Sequence, residues 1–536
     1  MKKISGLQDD HMTLNLNAQS SLPPLRGLML DAARLVESMD CYRRFIDFCA
    51  EWKVNSLIFR LTDDQGCALR FRSHPELLTH SNALTPDDMR GLAEYARTAG
   101  VELIPEIESL GHTQYITRSA EHADLNDKGA DGPDWANAII PLHPGTMKLL
   151  GDLYEEAAGL FPSHYLHVGC DETNWGGSAF SQQQLATRSR AEIWGDFLNA
   201  LHEKVCSLGR QMIIWDDVVL QHDPAILDRL DRRIILHDWN YWDSSSEPVT
   251  ARLAKARDKG FRMIGGPALH WAKWGLRVGA EQLRNIDAYI NVYLKGGESL
   301  TNADGEEDDC PTLAVIVTNW CPARYIRDSI WDGLAYSAVA MNEGSAQARA
   351  TAFPRFVENH YGTAWNDVWA DIFDALHASA PARQGEHSAR LLVPWANEDE
   401  LQKAIDAEPL PSLPFESILK KLDALQQMIR RNHADFDAFR LSIAYLNHLY
   451  WRHVAVRGLE GRGLAKTITE IARRDSVIAE KLAVDWRSGR TGDPMTQLDQ
   501  AAIWGFGPED WLHGRFQQAA QFSTKIVESK SSQENV

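Results

Sequence analysis

No stretch of this 536-residue chain is apolar for long enough to cross a bilayer as a helix, and no apolar core follows Lys2 and Lys3 within residues 1–20. The first absence argues against a membrane partner, and the second leaves no sign of a secretory leader. Basic excess is also missing. The formal net charge is −19, which disfavours nucleic acid or an anionic membrane surface as a partner. Cysteine is sparse and unpatterned: Cys41, Cys49, Cys67, Cys170, Cys206, Cys310 and Cys321 are odd in number, with no Cys-x-x-Cys among them. That is neither a disulfide framework nor a thiolate metal centre, and it fits a reducing, cytoplasmic address. No glycine-rich phosphate turn follows the first β-type run, and that run carries no His-x-His pair. A dinucleotide fold and an amidohydrolase-type metal barrel both lose their usual signatures.

The composition, 44% hydrophobic and 24% charged, is that of a soluble globular protein, and the length implies two domains or one large barrel with an appendage. Short β-type runs recur at 26–30, 55–61, 101–106, 164–169, 211–215, 233–237, 261–265 and 313–318. Between most of them lie segments of helical spacing, at 40–52, 86–99, 146–160 and 188–208. Eight strand–helix alternations predict parallel strands closed into a (β/α)8 TIM barrel, an α/β fold, with an open doubly wound sheet as the competing architecture. After about residue 345 the strands stop, and helical spacing at 415–432, 436–454 and 464–482 predicts a C-terminal α-helical domain approached through Pro411 and Pro414. The expected division is an N-terminal extension over 1–25, a barrel over 26–345, a helical domain over 346–528 and a disordered tail over 529–536. Packing of the helical domain on the barrel and formation of a homodimer are both left open. The acidic run Glu306–Asp309 precedes the last strand and reads as a solvated loop at the bottom face.

In such a barrel the active site sits at the C-terminal strand ends. Those ends carry Asp31 and Arg34, then Asp63, Asp64 and Gln65, then Glu106, Glu108 and His112. Asp171 and Glu172 follow, then Asp216 and Asp217, then Asp238, Trp239 and Tyr241, and finally Asn319 and Trp320. Acids and aromatic rings around one rim suit a polar ring-shaped ligand, with faces to stack on and carboxylates to accept from hydroxyls. The densest segment is His167-Val168-Gly169-Cys170-Asp171-Glu172. Two adjacent, partly desolvated carboxylates do not ionise equally, so one is expected to be pushed toward the protonated form that a general acid needs. An acidic helix N-cap is the structural alternative.

Residues 167–172 resemble the His-x-Gly-x-Asp-Glu signature of glycoside hydrolase family 20, the β-N-acetylhexosaminidases. Arg26–Asp31 resembles that family's first strand and Asn55–Gly66 its second; Ile104-Pro105-Glu106-Ile107-Glu108-Ser109-Leu110-Gly111-His112 is similar to its Pro-Glu-Ile-(Asp/Glu)-x-Pro-Gly-His block, with Leu110 for the proline. Gly169–Glu172, Ile214–Asp217 and the helical C-terminal region are similar to the cytoplasmic, hexosaminidase D-like branch. The resemblance implies exo-hydrolysis of terminal β-linked GlcNAc or GalNAc by a retaining, substrate-assisted route through an oxazolinium ion, with no metal and no cofactor. It implies Glu172 as general acid and base, Asp171 as the group orienting the acetamide, and His112 with Asp63 as a relay behind Glu172. Arg26 would bind sugar hydroxyls, and Trp215, Trp239 and Trp320 would wall the ring and acetamide.

The chain departs from the family pattern in two places. Cys321 and Pro322 follow Trp320, where the family has an acid for the sugar's O4 and O6, so Asp217 or Asp332 is the candidate replacement. The tyrosine that bonds the acetamide oxygen has no counterpart in 265–275, which leaves Tyr241 or Tyr293. Two rival readings remain at this stage: a metal-dependent barrel hydrolase using His112, His167, Asp171 and Glu172, and a catalytically retired, sugar-binding barrel.

Overall fold

The computed structural model describes residues 24–128, 138–271, 278–294, 314–378, 394–409, 412–489 and 512–533. The N-terminal extension expected over 1–25 apart from its last two residues, the Glu306–Asp309 run, Pro411, Cys310 and residues 272–275 lie outside them.

Eight parallel strands close on themselves: β1 (Leu25–Leu30), β2 (Ser56–Arg60), β6 (Glu102–Glu106), β7 (Tyr165–His167), β8 (Gln211–Trp215), β9 (Ile235–Trp239), β10 (Arg262–Gly266) and β12 (Ala314–Asn319). Closure comes from β1 pairing with both β2 and β12, with Leu28 opposite Leu57 on one side and Val317 on the other. These strands read as unbroken apolar runs because both faces are buried. Met29, Ile58, Ile104, Ile213, Ile235, Ile264 and Ile316 fill the barrel interior. Their neighbours Leu28, Leu57 and Leu103 turn outward to the helix layer. The two-residue period of a strand thus sends alternate side chains into two separate cores.

The expected helices form close to their predicted limits. α1 is Met39–Glu51, and α2 is Pro86–Thr98, opened by a Thr85–Asp88 capping box with Pro86 in the first turn. α3 is the single turn Gln114–Thr117, α4 is Pro144–Leu160, and residues 190–207 form a helix capped by Ser189 and Glu192. One excursion has no counterpart in the sequence reading: β3 (Thr62–Asp63), β4 (Gly66–Leu69) and β5 (Thr79–Leu84) build a small second sheet on the rim after β2. Runs of two to six residues with polar members carry too little periodicity to be seen.

The C-terminal helices pack on the barrel. Arg44 of α1 binds Asp435 at 2.7 Å, and Asp435 also accepts from His360 at 2.8 Å. The helix expected over 415–432 stops at Leu425, and a 3-10 turn follows. The disordered tail expected over 529–536 is corrected in its first part, since the last helix runs from Leu512 to Gln533.

The strand end that matters for function is a tight turn. After β7, Gly169, Cys170 and Glu172 adopt φ of 64°, 76° and 43°. Left-handed backbone is costly for residues with a Cβ, and such strain concentrates at functional sites. A Cβ on Gly169 would overlap the Glu108 carboxyl group, and one on Gly111 would overlap the carbonyl oxygen of Asp171. Gly169→Ala is therefore expected to destabilise the fold by roughly 2–4 kcal/mol and to displace the two acids. Thermal unfolding together with a hydrolysis assay checks this; an unchanged melting temperature with full activity would contradict the packing described.

Candidate active site

The rim is organised by an arginine that the sequence reading did not single out. Arg60, the last residue of β2, is fully buried, and it lies beside Glu106 in the β2–β6 register. Its guanidinium reaches Asp63 at 2.6 Å, Glu106 at 2.7 Å and Glu108 at 2.6 Å. Each carboxylate then holds something else. Glu106 accepts the Trp215 indole N–H at 2.9 Å, Glu108 accepts the Cys170 peptide N–H at 3.0 Å, and Asp63 meets Arg34 at 3.0 Å. Burial pushes Glu106 up to about 7, partly offset by Arg60, and raises Glu108 as well.

His112 sits between the two halves of the site. Its Nδ1 faces Asp64 at 3.2 Å and Asp63 at 3.4 Å, while Nε2 faces Glu172 at 3.4 Å and Asp171 at 4.0 Å. Burial lowers its pKa, but the carboxylates around it, Asp63 foremost, outweigh that and hold the ring as an imidazolium. Asp64, rather than Asp63 alone, is thus the nearer partner of His112. Glu172 is 58% exposed at its side chain, and contact with His112 lowers its pKa. The expectation that one acid of the pair is raised fails for Glu172 in the ligand-free site. The His112 imidazolium favours its charged form and outweighs the opposing effect of burial. Asp171 is buried, and its Oδ1 has no hydrogen-bond partner among the described residues.

These groups open into a cavity of about 350 Å³ lined by Arg34, Asp64, Gln65, His112, Asp171 and Glu172. Trp215, Trp239, Tyr241, Trp242, Trp271, Trp320 and Cys321 line the remainder. Trp215 stacks on His237 at 4.1 Å, and Trp320 lies 5.7 Å from Trp215 at an angle of 49°. Trp320 donates its indole N–H to the Tyr241 hydroxyl at 2.7 Å, and Arg34 and Arg60 flank its ring at 5.3 and 5.0 Å. Trp242, 60% exposed, stands at the mouth.

Of the residues expected from the sequence, Asp171, Glu172, His112, Trp215, Trp239, Trp320 and Tyr241 line the cavity, and Asp63 lies directly behind it. Four do not. Arg26 stands near the N-terminal end of β1, opposite Val315, while the cavity is at the C-terminal ends. Arg34, eight residues further on, is the arginine that faces the ligand space. Asp332 is buried in the first turn of the helix Trp331–Glu343, away from the lining. Tyr293 points outside the barrel, where its hydroxyl donates to Asp238 at 3.0 Å. Asp217 accepts the Glu172 peptide N–H at 3.0 Å, so it supports the acid from behind rather than meeting a hydroxyl. Burial and the nearby Asp171 push it up to about 7. His167 packs against His237 at 3.3 Å, which removes it from the metal set considered above. Arg60, Gln65, Trp242 and Trp271 complete the site. The signal for Arg60 was a lone cation at the end of an apolar strand whose neighbouring strand ends in two glutamates.

Comparison with known proteins agrees with this geometry. Residues 24–271 match the family model "Glycosyl hydrolase family 20, catalytic domain". The beta-hexosaminidase of Vibrio furnissii is 28% identical over 246 residues, 40% of this chain and 39% of that protein. The beta-hexosaminidase subunit beta of Mus musculus is 27% identical over 291 residues, 50% of this chain and 51% of that one. A solved GH20 exo beta-N-acetylglucosaminidase from Vibrio harveyi is similar at 22% identity and a TM-score of 0.45, covering 61% of this chain and 54% of its own. The chain thus spans about two fifths to a half of the length of these curated relatives. The segment that resembles the catalytic domain of glycosyl hydrolase family 20, residues 24–271, carries most of the barrel strands and the acid pair at its rim.

Proposed function

We propose that the chain is an exo-acting β-N-acetylhexosaminidase that removes terminal β-linked GlcNAc or GalNAc with retention, using the sugar's own acetamide as nucleophile. One observation carries this. The cavity-lining carboxylates Asp64, Asp171 and Glu172 all gather about the single imidazole of His112, at 3.2, 4.0 and 3.4 Å. A two-carboxylate retaining glycosidase needs a nucleophile across the sugar ring, about 5–5.5 Å from the acid. Asp64 is engaged on both oxygens, by His112 Nδ1 at 3.2 Å and the Gln114 peptide N–H at 3.1 Å, and Asp171 is the chain neighbour of Glu172 on the same side of His112. The substrate's 2-acetamido oxygen fills that role.

Asp171, with an unpartnered oxygen, accepts the acetamide N–H and aims the carbonyl oxygen at the anomeric carbon. As the C1–O bond to the aglycone breaks, Glu172 protonates the leaving oxygen and the oxazolinium ion forms. Glu172 then takes a proton from water attacking C1, and the ring opens to the β-sugar. Free Glu172 is ionised, so it needs a proton when substrate arrives. His112 supplies it: a sugar displacing water from Glu172 raises that carboxyl, and the adjacent imidazolium transfers its proton. The indoles of Trp215, Trp239 and Trp320 stack on the sugar and exclude water, Arg34 binds its hydroxyls, and the Tyr241 hydroxyl bonds the acetamide oxygen. The division into a barrel to about 345 and a helical domain beyond it rests on Gly344, at φ 90°, between two helices. A cytoplasmic address is supported by the absence of disulfides among the described cysteines. Among the described residues no helix is long and apolar enough to cross a membrane.

Hydrolysis of matched aryl β-GlcNAc, β-GalNAc and β-glucoside substrates tests the proposal, with turnover expected only for the N-acetyl sugars. Equal turnover of the glucoside would exclude acetamide participation. Glu172→Gln should lower kcat by about 10²–10⁴-fold on poorly activated aglycones and less on nitrophenyl ones, while Asp171→Asn slows both alike. Full activity of Asp171→Asn would sink the mechanism.

His112→Asn should lower kcat/KM and move the alkaline limb of its pH profile to lower pH. His112 holds its proton well above pH 6.5, so the wild-type site keeps a donor at neutral pH. Without it, the fraction of protonated Glu172 falls as pH rises through the ordinary carboxyl range. A profile of unchanged shape would show that His112 only packs. Arg34→Lys should raise KM about 10-fold, whereas Arg26→Ala should leave KM within about twofold, as measured by steady-state kinetics. The reverse order would restore Arg26 to the site.

A further inference from the structure

A second cluster of side chains lies on the shoulder of the barrel, outside the catalytic cavity. His74 and Glu76 belong to the loop between β4 and β5, and His122 follows α3. His74 Nδ1 is 2.8 Å from Glu76 Oε1, and His122 Nε2 is 2.7 Å from the same oxygen. The possible ligand atoms of these three residues all lie within 4.8 Å of one another. The other ring nitrogen of His74, Nε2, faces Asp152 Oδ2 of α4 at 3.1 Å. The side chains are 12%, 23% and 20% exposed, so an ion could reach them while most of their surface is enclosed.

His74 has a carboxylate oxygen at each ring nitrogen. A proton on each ring nitrogen would satisfy His74, since an imidazolium donates to Glu76 and Asp152 at once; a divalent cation is the alternative that leaves the ring neutral. With Nδ1 on the metal, Nε2–H donates to Asp152, the carboxylate–histidine–metal relation that fixes tautomer and ring orientation in zinc sites. Lys148, on α4, lies 2.5 Å from Asp152 Oδ2. With neutral rings, Glu76, Asp152 and Lys148 sum to −1, which favours a dication. Edges of a tetrahedral site with bonds of about 2.1 Å are about 3.4 Å, so opening the two short contacts by about 0.6 Å admits the ion. The loop is already anchored: Glu156 of α4 accepts the peptide N–H of Arg72 at 2.8 Å and of Ser73 at 2.9 Å.

We propose that His74, Glu76 and His122 bind one zinc-class divalent ion, oriented by Asp152, with water completing the coordination. Two imidazoles and one carboxylate suit zinc by donor type. The ion joins the β4–β5 loop to the turn after α3. The two segments already meet where the Leu78 N–H donates to the Tyr115 carbonyl at 3.0 Å, three residues beyond His112. Its role is to brace the catalytic histidine's turn, with no part in the bond-breaking steps.

The test uses the full-length protein, stripped with chelator and dialysed, then titrated with Co(II) and, in competition with a chromophoric chelator, with Zn(II). One ion per chain is expected, with tetrahedral Co(II) bands in the visible and a higher melting temperature for the zinc form. His122→Ala should abolish the bands, and Asp152→Asn should weaken zinc binding by about 10–100-fold while keeping all three ligands. Circular dichroism confirms that each variant is folded. If His122→Ala fails to fold, Asp152→Asn alone decides. No stoichiometric uptake by the wild-type chain, or equal uptake by the folded variants, overturns the site. Loss of uptake with normal uptake in His112→Asn supports it, because that separates this cluster from Asp63, Asp64 and His112 at the catalytic centre.

Discussion

A guanidinium with no access to solvent holds the catalytic end of this barrel together. Arg60 binds Asp63, Glu106 and Glu108, and each of those carboxylates positions a different part of the site. Glu106 fixes the indole that forms part of the cavity wall, Glu108 pins the peptide of Cys170 beside the acid pair, and Asp63 links Arg34 to His112. Burying an ion cluster contributes little to net stability against an apolar equivalent, but removing one member leaves unpaired charges and costs about 3–5 kcal/mol. The cluster therefore fixes geometry more than it adds stability. It also explains the glycine at 169: the Glu108 carboxyl occupies the space a Cβ would need, and the chain turns left-handed to pass it. The strained turn that presents Asp171 and Glu172 is thus set from beneath, by a charge on another strand.

How much of this was legible depended on whether a feature is local in sequence. The barrel strands announced themselves because each is apolar on both faces and bounded by turn residues. The acid pair was legible because two carboxylates after a strand-ending glycine have few structural uses. Arg26 was taken for the sugar-binding arginine because it opens a matching strand, yet a strand's first residues sit at the closed end of a barrel. Arg34 lies just past the strand's other end and so reaches the cavity. Arg60 has the opposite difficulty. Its meaning lies in the register of β2 against β6, which places Arg60 beside Glu106, and no spacing within one strand reveals that. Asp332 and Tyr293 were candidates to replace the missing O4/O6 acid and acetamide tyrosine, but both belong to the outer helices.

The charge state of the rim follows from the same geometry. Glu106, Glu108, Asp216 and Asp217 are all raised by burial, so the cluster of acids carries less negative charge at neutral pH than its composition suggests. Glu172 is shifted the other way, because its contact with the His112 imidazolium outweighs the effect of burial. In the proposed mechanism the proton for the leaving group sits first on His112, one contact away from Glu172, the group that would deliver it. Covering Glu172 with a sugar ring removes the solvent that stabilises its charge and leaves the aromatic walls in its place. The acid is then made by the act of binding, and only a ligand that fills the cavity produces it. A half-exposed, ionised glutamate in the free site is therefore the arrangement expected of a general acid whose pKa is set by its substrate.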